Sequence, residues 1–274
     1  MVFPRITKCL SLIKDCDKKD LDPFLCNMTE KENILGKNIL LIGGGSGMGK
    51  ASAIALSQLG AKVVITGRKK NNLDSTKLES QSPENILAKE SDVTDRRSLD
   101  ELFSWFDKEV GNLDCLINAA GINVAMRSMQ ELDPEDWDRL ININLTGSYN
   151  VLRSGLELMR PRKKGLIILI NSVAGKRSVP LGGIGYNASK FGLTGLGLGL
   201  AEEEKNNGIR ITNLYPGEVN TPILDERKEP PGQEHRDRIL QPEDIASVIV
   251  EICNLPERVH IPELVIKPAK QSFV

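Results

Sequence analysis

NILLIGGGSGMGK, residues 38–50, is the stretch from which the rest of the chain can be interpreted. The residues from Ile39 to Ile42 are all apolar and predict a short buried β-strand. The glycine-rich run that follows fits two phosphate-binding patterns. Counted from Gly44 it has the spacing G-x-x-x-x-G-K of a nucleoside-triphosphate loop, and counted from Gly43 it has the spacing G-x-x-x-G-x-G of a dinucleotide loop.

Ala51 argues against the triphosphate pattern. A triphosphate loop needs Ser or Thr after its lysine to bind Mg²⁺, and here Ala51 follows Lys50. The run also ends a predicted strand and opens a predicted helix, whose N–H groups and dipole can face a pyrophosphate. Its glycines permit a tight turn and a close approach of the ligand. The sequence therefore favours a dinucleotide loop, with triphosphate binding as a distant alternative.

Length and composition limit the classes of function. The chain has 274 residues, 40% of them hydrophobic, which suits one large α/β domain. A net charge of −1 provides no general attraction to nucleic acid or an anionic membrane. The apolar runs are too short to span a bilayer, and five cysteines without a C-x-x-C pair fit a reduced intracellular enzyme. His235 and His260 are isolated, so no metal is expected. We predict a cytoplasmic protein.

Residues 1–36 differ in composition from the rest and are predicted to be an N-terminal extension. MVFPRITKCLSLIK contains basic residues and no acids, so an organelle-targeting peptide is one interpretation. The following DCDKKDLDPFL is rich in Asp, which such peptides avoid, and favours an ordinary extension. Residues 37–274 are predicted to form the catalytic domain.

β-rich runs and helical segments alternate from Lys37 onward. The inner runs are apolar almost throughout, as strands buried on both faces must be. This alternation predicts a single-domain, Rossmann-like, doubly wound parallel sheet flanked by helices. The predicted strands are NILLIG, KVVITG, NILAKE, LDCLIN, GLIILIN, IRITNLY and ELVIKP, and the clearest helical segments are 50–59, 96–110, 134–159 and 186–206.

The end of the second predicted strand indicates which dinucleotide is bound. NAD enzymes usually have Asp or Glu there, to accept hydrogen bonds from the adenosine ribose. This chain has Gly67 followed by Arg68, Lys69 and Lys70. An arginine binds a 2′-phosphate that an acid would repel, so NADP(H) is favoured over NAD(H). The alternative is that the three cations only solvate the start of a helix.

YNASK places Tyr186 and Lys190 four residues apart, on one face of a predicted helix. A phenol with its ordinary pKa near 10 is a poor acid–base catalyst at neutral pH. A nearby ammonium stabilises the phenolate and lowers that pKa. The spacing alone is common by chance and decides nothing without its surroundings.

Seven motifs in order make the chain resemble the short-chain dehydrogenase/reductase family from about Lys37 to the C-terminus. They are GGGSGMG, SDVTD at 91–95, NAAG at 118–121, NINLTG at 142–147, INSVAG at 170–175, YNASK and YPGEVNTP at 215–222. The resemblance implies that Tyr186 is the acid for carbonyl reduction and the base for oxidation, and that Lys190 lowers its pKa and holds the nicotinamide ribose. It implies that Ser172 donates a hydrogen bond to the substrate oxygen. It also implies that Asn144 anchors a water in a proton relay through Lys190.

The resemblance also implies the residues that bind NADP(H). Besides Tyr186 and Lys190, the set is Gly43, Ser46, Gly47, Met48 and Gly49 at the phosphates, Arg68 at the 2′-phosphate, Asp92 and Val93 at the adenine, Asn118, Ala119 and Gly121 beside the ribose, and Pro216, Gly217, Val219 and Thr221 at the nicotinamide. Two positions depart from the family pattern: Ile42 replaces a common Thr, and Ala119 replaces the second Asn of N-N-A-G. Both affect scaffold hydrogen bonds and not the reacting centre, so activity is expected to be retained.

Family members with such motifs assemble as homodimers or homotetramers, and a homo-oligomer is expected here. Gly192, Gly195, Gly197 and Gly199 lie in the helix after YNASK, where they could allow close approach of a partner. A weakened helix is the alternative reading.

The charged loop at about 222–240 matches the lid that sets specificity in similar enzymes. Its cations could meet an acidic substrate or only be solvated. The tail after Leu240 is more similar to NADP-dependent hydroxy acid (serine-type) dehydrogenases than to oxoacyl-carrier-protein reductases. The expected activity is hydride transfer between NADP(H) and a carbonyl or secondary alcohol, with a small hydroxy acid or ketone as substrate. A binding protein that senses NADP(H) without turnover is the alternative.

Overall fold

A computed structural model describes residues 33–271 of the chain. All seven predicted strands form, as one parallel sheet in the order β3-β2-β1-β4-β5-β6-β7. The strands are β1 Asn38–Ile42, β2 Lys62–Gly67, β3 Ile86–Glu90, β4 Cys115–Asn118, β5 Gly165–Ile170, β6 Ile209–Pro216 and β7 Glu263–Ile266. The predicted doubly wound, Rossmann-like fold is confirmed.

Helices cover both faces of this sheet. They are α1 Gly47–Gln58, α2 Lys70–Glu79, α3 Arg96–Glu109, α4 Pro134–Ile141, α5 Gly147–Met159, α6 Ile184–Glu204, α7 Gln233–Arg236 and α8 Pro242–Asn254. On one face Leu56 of α1 and Ile249 of α8 pack in the core formed with β1 and β2. On the other, Phe106 of α3, Leu152 of α5 and Leu193 of α6 pack against β4 and β5. These two cores explain why the central strands are apolar at almost every position.

The strand order reverses between β1 and its neighbours β2 and β4. In a parallel sheet the crevice beyond the carboxyl ends of the strands at such a reversal is the usual binding site. The glycine-rich run follows β1, Arg68 follows β2, and Ala119 follows β4, so all three lie at this edge. Ser172 and Gly217 follow β5 and β6 and extend the same edge.

The predicted helix at 134–159 is interrupted. Between α4 and α5, residues Asn142–Thr146 form a π-helical segment. At its end the N–H of Gly147 donates a hydrogen bond to the carbonyl of Asn142, five residues earlier. The side chain of Asn144 leaves the helix to bond the backbone of Ile122 at both its N–H and its C=O, at 2.8 and 3.0 Å. Such widened turns are frequent at functional sites. This one positions a residue that the family resemblance places in catalysis.

One prediction falls mostly on residues that the structure does not describe. The N-terminal extension at 1–36 lies outside the described residues except for residues 33–36. No helix among residues 33–271 is long and apolar enough to cross a membrane.

Candidate active site

The glycine-rich loop is a tight turn that leaves no room for side chains at its key positions. Gly43 has a φ of +83°, and a Cβ added there would lie 2.9 Å from the carbonyl carbon of Ala119. A Cβ on Gly49 would lie 2.2 Å from the carbonyl oxygen of Gly43. Ser46, the N-cap of α1, makes no side-chain capping bond. The first N–H groups of the helix are therefore free to bind an anion.

Lys50 does not serve this loop. Its ammonium pairs with the carboxylate of Glu79 on α2 at 2.6 Å, and Lys50 is absent from the walls of the adjoining groove. In a triphosphate loop this lysine would reach the phosphates. The arrangement speaks against the triphosphate interpretation and agrees with the dinucleotide one.

A groove of about 430 Å³ runs along this edge of the sheet. Eleven of the predicted cofactor residues line it: Gly43, Ser46, Gly47, Met48, Gly49, Arg68, Asp92, Val93, Ala119, Gly121 and Thr221. A second, smaller pocket of about 130 Å³ is lined by Ser172, Tyr186, Pro216, Gly217 and Val219. Met48 and Thr221 line both cavities, so the two meet there.

Arg68 and Lys69 form the basic end of the groove. Both side chains are exposed, and both line the groove. Among residues 33–271 neither has a carboxylate within ion-pair distance. Asp92, on the same wall, accepts bonds from the N–H and hydroxyl of Thr94, at 2.9 and 2.8 Å. Two cations without carboxylate partners are therefore available to a phosphate at this end.

Tyr186 and Ser172 meet in the smaller pocket. Burial raises the pKa of the Tyr186 phenol, whereas a hydrogen bond with Ser172 and the positive charge of Arg127 lower it. Ser172 follows β5 and caps a short helical turn, its hydroxyl accepting a bond from the N–H of Ala174 at 3.1 Å. Strand and cap together hold this hydroxyl beside the phenol.

Asn144, Ser189 and Lys190 form a buried layer behind the phenol, which we call the buried floor. Asn144 donates to the hydroxyl of Ser189 at 3.0 Å, and Ser189 donates to the carbonyl of Tyr186 at 2.8 Å. The ammonium of Lys190 lies 5.6 Å from the Tyr186 ring centre and donates to the carbonyl of Ile170 at 3.2 Å. Burial lowers the pKa of Lys190 to about 8.

Three predicted residues, Asn118, Asn144 and Lys190, line neither cavity. Asn118 is a scaffold residue whose amide donates to Ser148 at 2.8 Å and whose oxygen accepts from the N–H of Ala120 at 3.2 Å. Gly121 stands between the groove and the floor, since a Cβ there would lie 3.6 Å from the Lys190 nitrogen. The Lys190 ammonium therefore lies directly behind the part of the groove wall that Gly121 forms.

Arg127 and Glu218 line the smaller pocket and were not among the predicted site residues. Arg227 lines it too, and pairs with Glu218 at 2.7 Å. Arg127 lies in the loop after β4, where no local pattern marks it. A search for charged residues between the strand-end motifs could have found it. The sequence predicts the cations of the lid segment at 222–240, but not that Glu218 pairs with two of them.

The family of short chain dehydrogenases matches residues 37–232. The chain belongs to this family. Membership supports the activity of an oxidoreductase that transfers hydride with a nicotinamide cofactor.

Individual relatives cover the same domain. The glycine betaine reductase ATRR of Emericella nidulans is 32% identical over 249 residues, which are 89% of this chain and 19% of that protein. The chain thus spans about a fifth of this relative's length.

Solved structures match over nearly their full length. A serine dehydrogenase in closed form with NADP⁺ is 29% identical, with a TM-score of 0.78 over 86% of this chain and 96% of its own. A 3-ketoacyl-(acyl-carrier-protein) reductase of Brucella melitensis with NADH is 26% identical, with a TM-score of 0.78 over 86% and 99%. Structures of this kind thus include complexes with either nicotinamide dinucleotide.

Proposed function

We propose that this protein is an NADP(H)-dependent dehydrogenase/reductase that interconverts a carbonyl and a secondary alcohol, with Tyr186 as the acid and base. The observation that carries this proposal is the position of Tyr186 and Ser172 in a pocket that meets the glycine-lined groove. The buried Lys190 behind the phenol supports it.

The groove fits a dinucleotide. Its glycines leave space where a Cβ would clash, and the uncapped start of α1 offers N–H groups to a pyrophosphate. Arg68 and Lys69 would bind a 2′-phosphate, and no acidic residue replaces Gly67 to repel it. Bound NADPH would supply the hydride. These features support NADP(H) over NAD(H).

The pocket residues provide the proton. Ser172 would donate a hydrogen bond to the substrate oxygen, which stabilises the charge that develops there. Tyr186 would give its phenolic proton to that oxygen in reduction and take it back in oxidation. Lys190, whose pKa is lowered to about 8, can exchange protons near neutral pH. Asn144, whose amide donates to Ser189, would anchor a water in the proton relay that runs out through Lys190.

A small hydroxy acid or ketone is the substrate that we propose. The pocket is small, and apolar side chains such as Val179 and Leu181 form part of its wall. Similarity to a serine dehydrogenase over 86% of the chain supports the same class. Ile223 and Leu224 of the predicted lid at 222–240 also line the pocket, which supports a role for that segment in specificity.

A homo-oligomer is supported by the exposed face of α6. Phe191 and Leu198 are large apolar side chains that remain exposed there. A Cβ on Gly195 or Gly199 would meet no described atom within 4 Å, so a partner could approach closely. By contrast, Gly197 is needed within the chain, because a Cβ there would lie 2.5 Å from the Asn213 side chain. Light scattering after size exclusion tests the assembly; a monomeric mass would refute it.

Oxidation of NADPH in the presence of aldehydes, ketones and 3-oxo acids, followed by absorbance, tests the reaction. We expect turnover in the wild type and a loss of about 10²- to 10⁴-fold in Tyr186→Phe, with NADPH affinity unchanged. Tight NADPH binding without turnover on any substrate would instead support the sensing protein. Failure to bind NADPH would refute the cofactor assignment.

A further inference from the structure

The charges around the smaller pocket do not balance. Among residues 33–271, Arg127 and Arg227 line it together with a single acid, Glu218. Glu218 is already shared, since its two carboxylate oxygens meet Arg227 at 2.7 Å and His235 at 2.9 Å. The pocket therefore retains one guanidinium without a counter-charge, that of Arg127.

Three other cations of the lid segment at 222–240 are paired outside this centre. Lys228 pairs with Glu131 at 3.2 Å, and Arg236 pairs with Asp225. Arg238 pairs with Glu234. These three cations, which from the sequence could meet an acidic substrate, are therefore already neutralised by carboxylates of the chain. The lid cations outside the pocket are therefore poor candidates for substrate binding.

The guanidinium of Arg127 is held by neutral groups. Its Nε donates to the carbonyl of Val124 at 2.5 Å, and its Nη1 donates to the carbonyl of Leu181 at 2.7 Å. Within residues 33–271 no carboxylate lies at ion-pair distance from it. The backbone of Arg127 is fixed as well, because its carbonyl accepts the N–H of Ile184 at the start of α6. The group is thus positioned by the helix that carries Tyr186, and its second terminal nitrogen has no partner among these residues.

The surroundings of Arg127 favour an anion. Burial and the like charge of Arg227 lower the pKa of Arg127, so the site destabilises an unpaired guanidinium. A carboxylate accepts hydrogen bonds from the fork of an arginine and would offset both effects. Apolar walls at Val173, Val179 and Leu224 suit a short carbon chain between that carboxylate and the reacting oxygen.

We infer that Arg127 is the carboxylate anchor of the substrate pocket and that the substrate is a small carboxylic acid whose carbonyl or hydroxyl reacts at Tyr186. This inference rests on the proposed function and adds to it the recognition of the anion. Arg127 is thus a specificity residue. Arg227, which pairs with Glu218, lines the same pocket from the side of the lid.

A matched pair of probes tests the inference: 3-oxobutanoate and its methyl ester, which lacks the negative charge and carries one additional methyl group. We expect the wild type to reduce the acid with a kcat/KM at least tenfold above the ester. Arg127→Gln should lower kcat/KM for the acid at least tenfold, mainly through KM, and for the ester less than threefold. Lys228→Gln, which removes a lid charge outside the pocket, should leave both unchanged. Equal use of the two probes by the wild type, or an equal loss in Arg127→Gln, would overturn the inference.

Binding without turnover provides a second readout that needs no reactive substrate. Titration calorimetry of the NADP⁺-loaded wild type with butanoate should give saturable binding, and butanamide should bind at least tenfold more weakly. If the Arg127→Gln variant still binds NADP⁺, it is folded. It should then bind butanoate no more tightly than butanamide. Should that variant fail to fold, the comparison of butanoate with butanamide in the wild type still decides. Equal affinities, or no butanoate binding, overturn the anchor. Reduction of the ester alone would leave the proposed oxidoreductase intact and remove only this inference.

Discussion

The buried floor and the basic end of the groove differ in how their charged and polar groups are held. Asn144, Ser189 and Lys190 are buried and joined by hydrogen bonds to the backbone of three different segments. Arg68 and Lys69 are exposed and have no ion-pair partner among residues 33–271. The floor holds its groups in place before any ligand binds, whereas the basic end offers charge that only a ligand can satisfy.

This difference predicts which property each region controls. Substitutions in a buried, hydrogen-bonded layer leave other polar groups unsatisfied, so they affect both catalysis and folding. Substitutions of exposed, unpaired cations affect ligand affinity with little change in the free energy of unfolding. Variants of the two regions should therefore separate into two classes.

Lys190→Met should have the largest effect. Removal of the ammonium beside the phenol is expected to lower kcat by about 10³-fold, within the usual range for acid–base groups. NADPH oxidation under saturating substrate measures this. Lys205→Met is the matched control, because Lys205 follows the same helix but is exposed and pairs with Glu202. An unchanged kcat in Lys190→Met would show that the floor does not take part in proton transfer.

The pH dependence of stability reports the same buried lysine. Lys190 has a pKa of about 8 in the folded protein and an ordinary value of 10.5. Between these values the unfolded chain binds more protons, so the free energy of unfolding rises with pH across this window. Below pH 8 the lysine is charged in both states, so the full free-energy cost of burying its charge lowers the stability of the folded protein. Without cofactor, Lys190→Met should exceed the wild type in stability at pH 7 by up to about 3 kcal/mol.

Urea unfolding at pH 7 and pH 10 measures this difference. The advantage of Lys190→Met should shrink as the pH rises from 8 to above 10.5, where the lysine is mainly neutral in both states. A difference that stays constant with pH would mean that the burial of Lys190 carries no charge cost.

Gly67→Asp should change the preferred dinucleotide at the basic end. A Cβ at Gly67 would meet only the Leu73 side chain at 3.7 Å, so the residue fits without strain. Its carboxylate would repel a 2′-phosphate and accept bonds from a ribose. We expect the ratio of NADPH to NADH affinity to fall by about tenfold or more.

Fluorescence titration with both dinucleotides measures that ratio. Gly67→Ala adds the same Cβ without the charge and should change the ratio less than threefold. If Gly67→Asp retains the wild-type ratio, the 2′-phosphate does not lie at this strand end.

Lys50→Gln should have the smallest effect. Lys50 pairs with Glu79 at a partly exposed site, where an ion pair contributes about 0–1 kcal/mol to stability. We expect NADPH affinity to change less than twofold, and Glu79→Gln should behave in the same way. A loss of nucleotide binding only in Lys50→Gln would revive the triphosphate interpretation, in which this lysine contacts phosphate.

Much of the fold followed from local patterns, because parallel strands buried on both faces must be apolar. The predicted strand GLIILIN corresponds to β5, Gly165–Ile170, whose residues are all buried. The segment at 134–159 was predicted as one helix because its periodicity continues through Asn142–Thr146. The π-helical turn there depends on the bonds of Asn144 to Ile122, which is 22 residues away. No local periodicity contains that contact.

By itself, the sequence determined the family, the alternation of strands and helices, and the candidate residues at strand ends, since each depends on spacing along the chain. Only the tertiary structure decided which of those residues reach a cavity and which stand behind it. In the folded chain the ammonium of Lys50 pairs with Glu79 and so does not contact the loop. Arg127 lines the same pocket as Tyr186, although 59 positions separate the two residues in the sequence. The physical reason is that the charge balance of a pocket depends on groups from distant segments, and their meeting is set by packing.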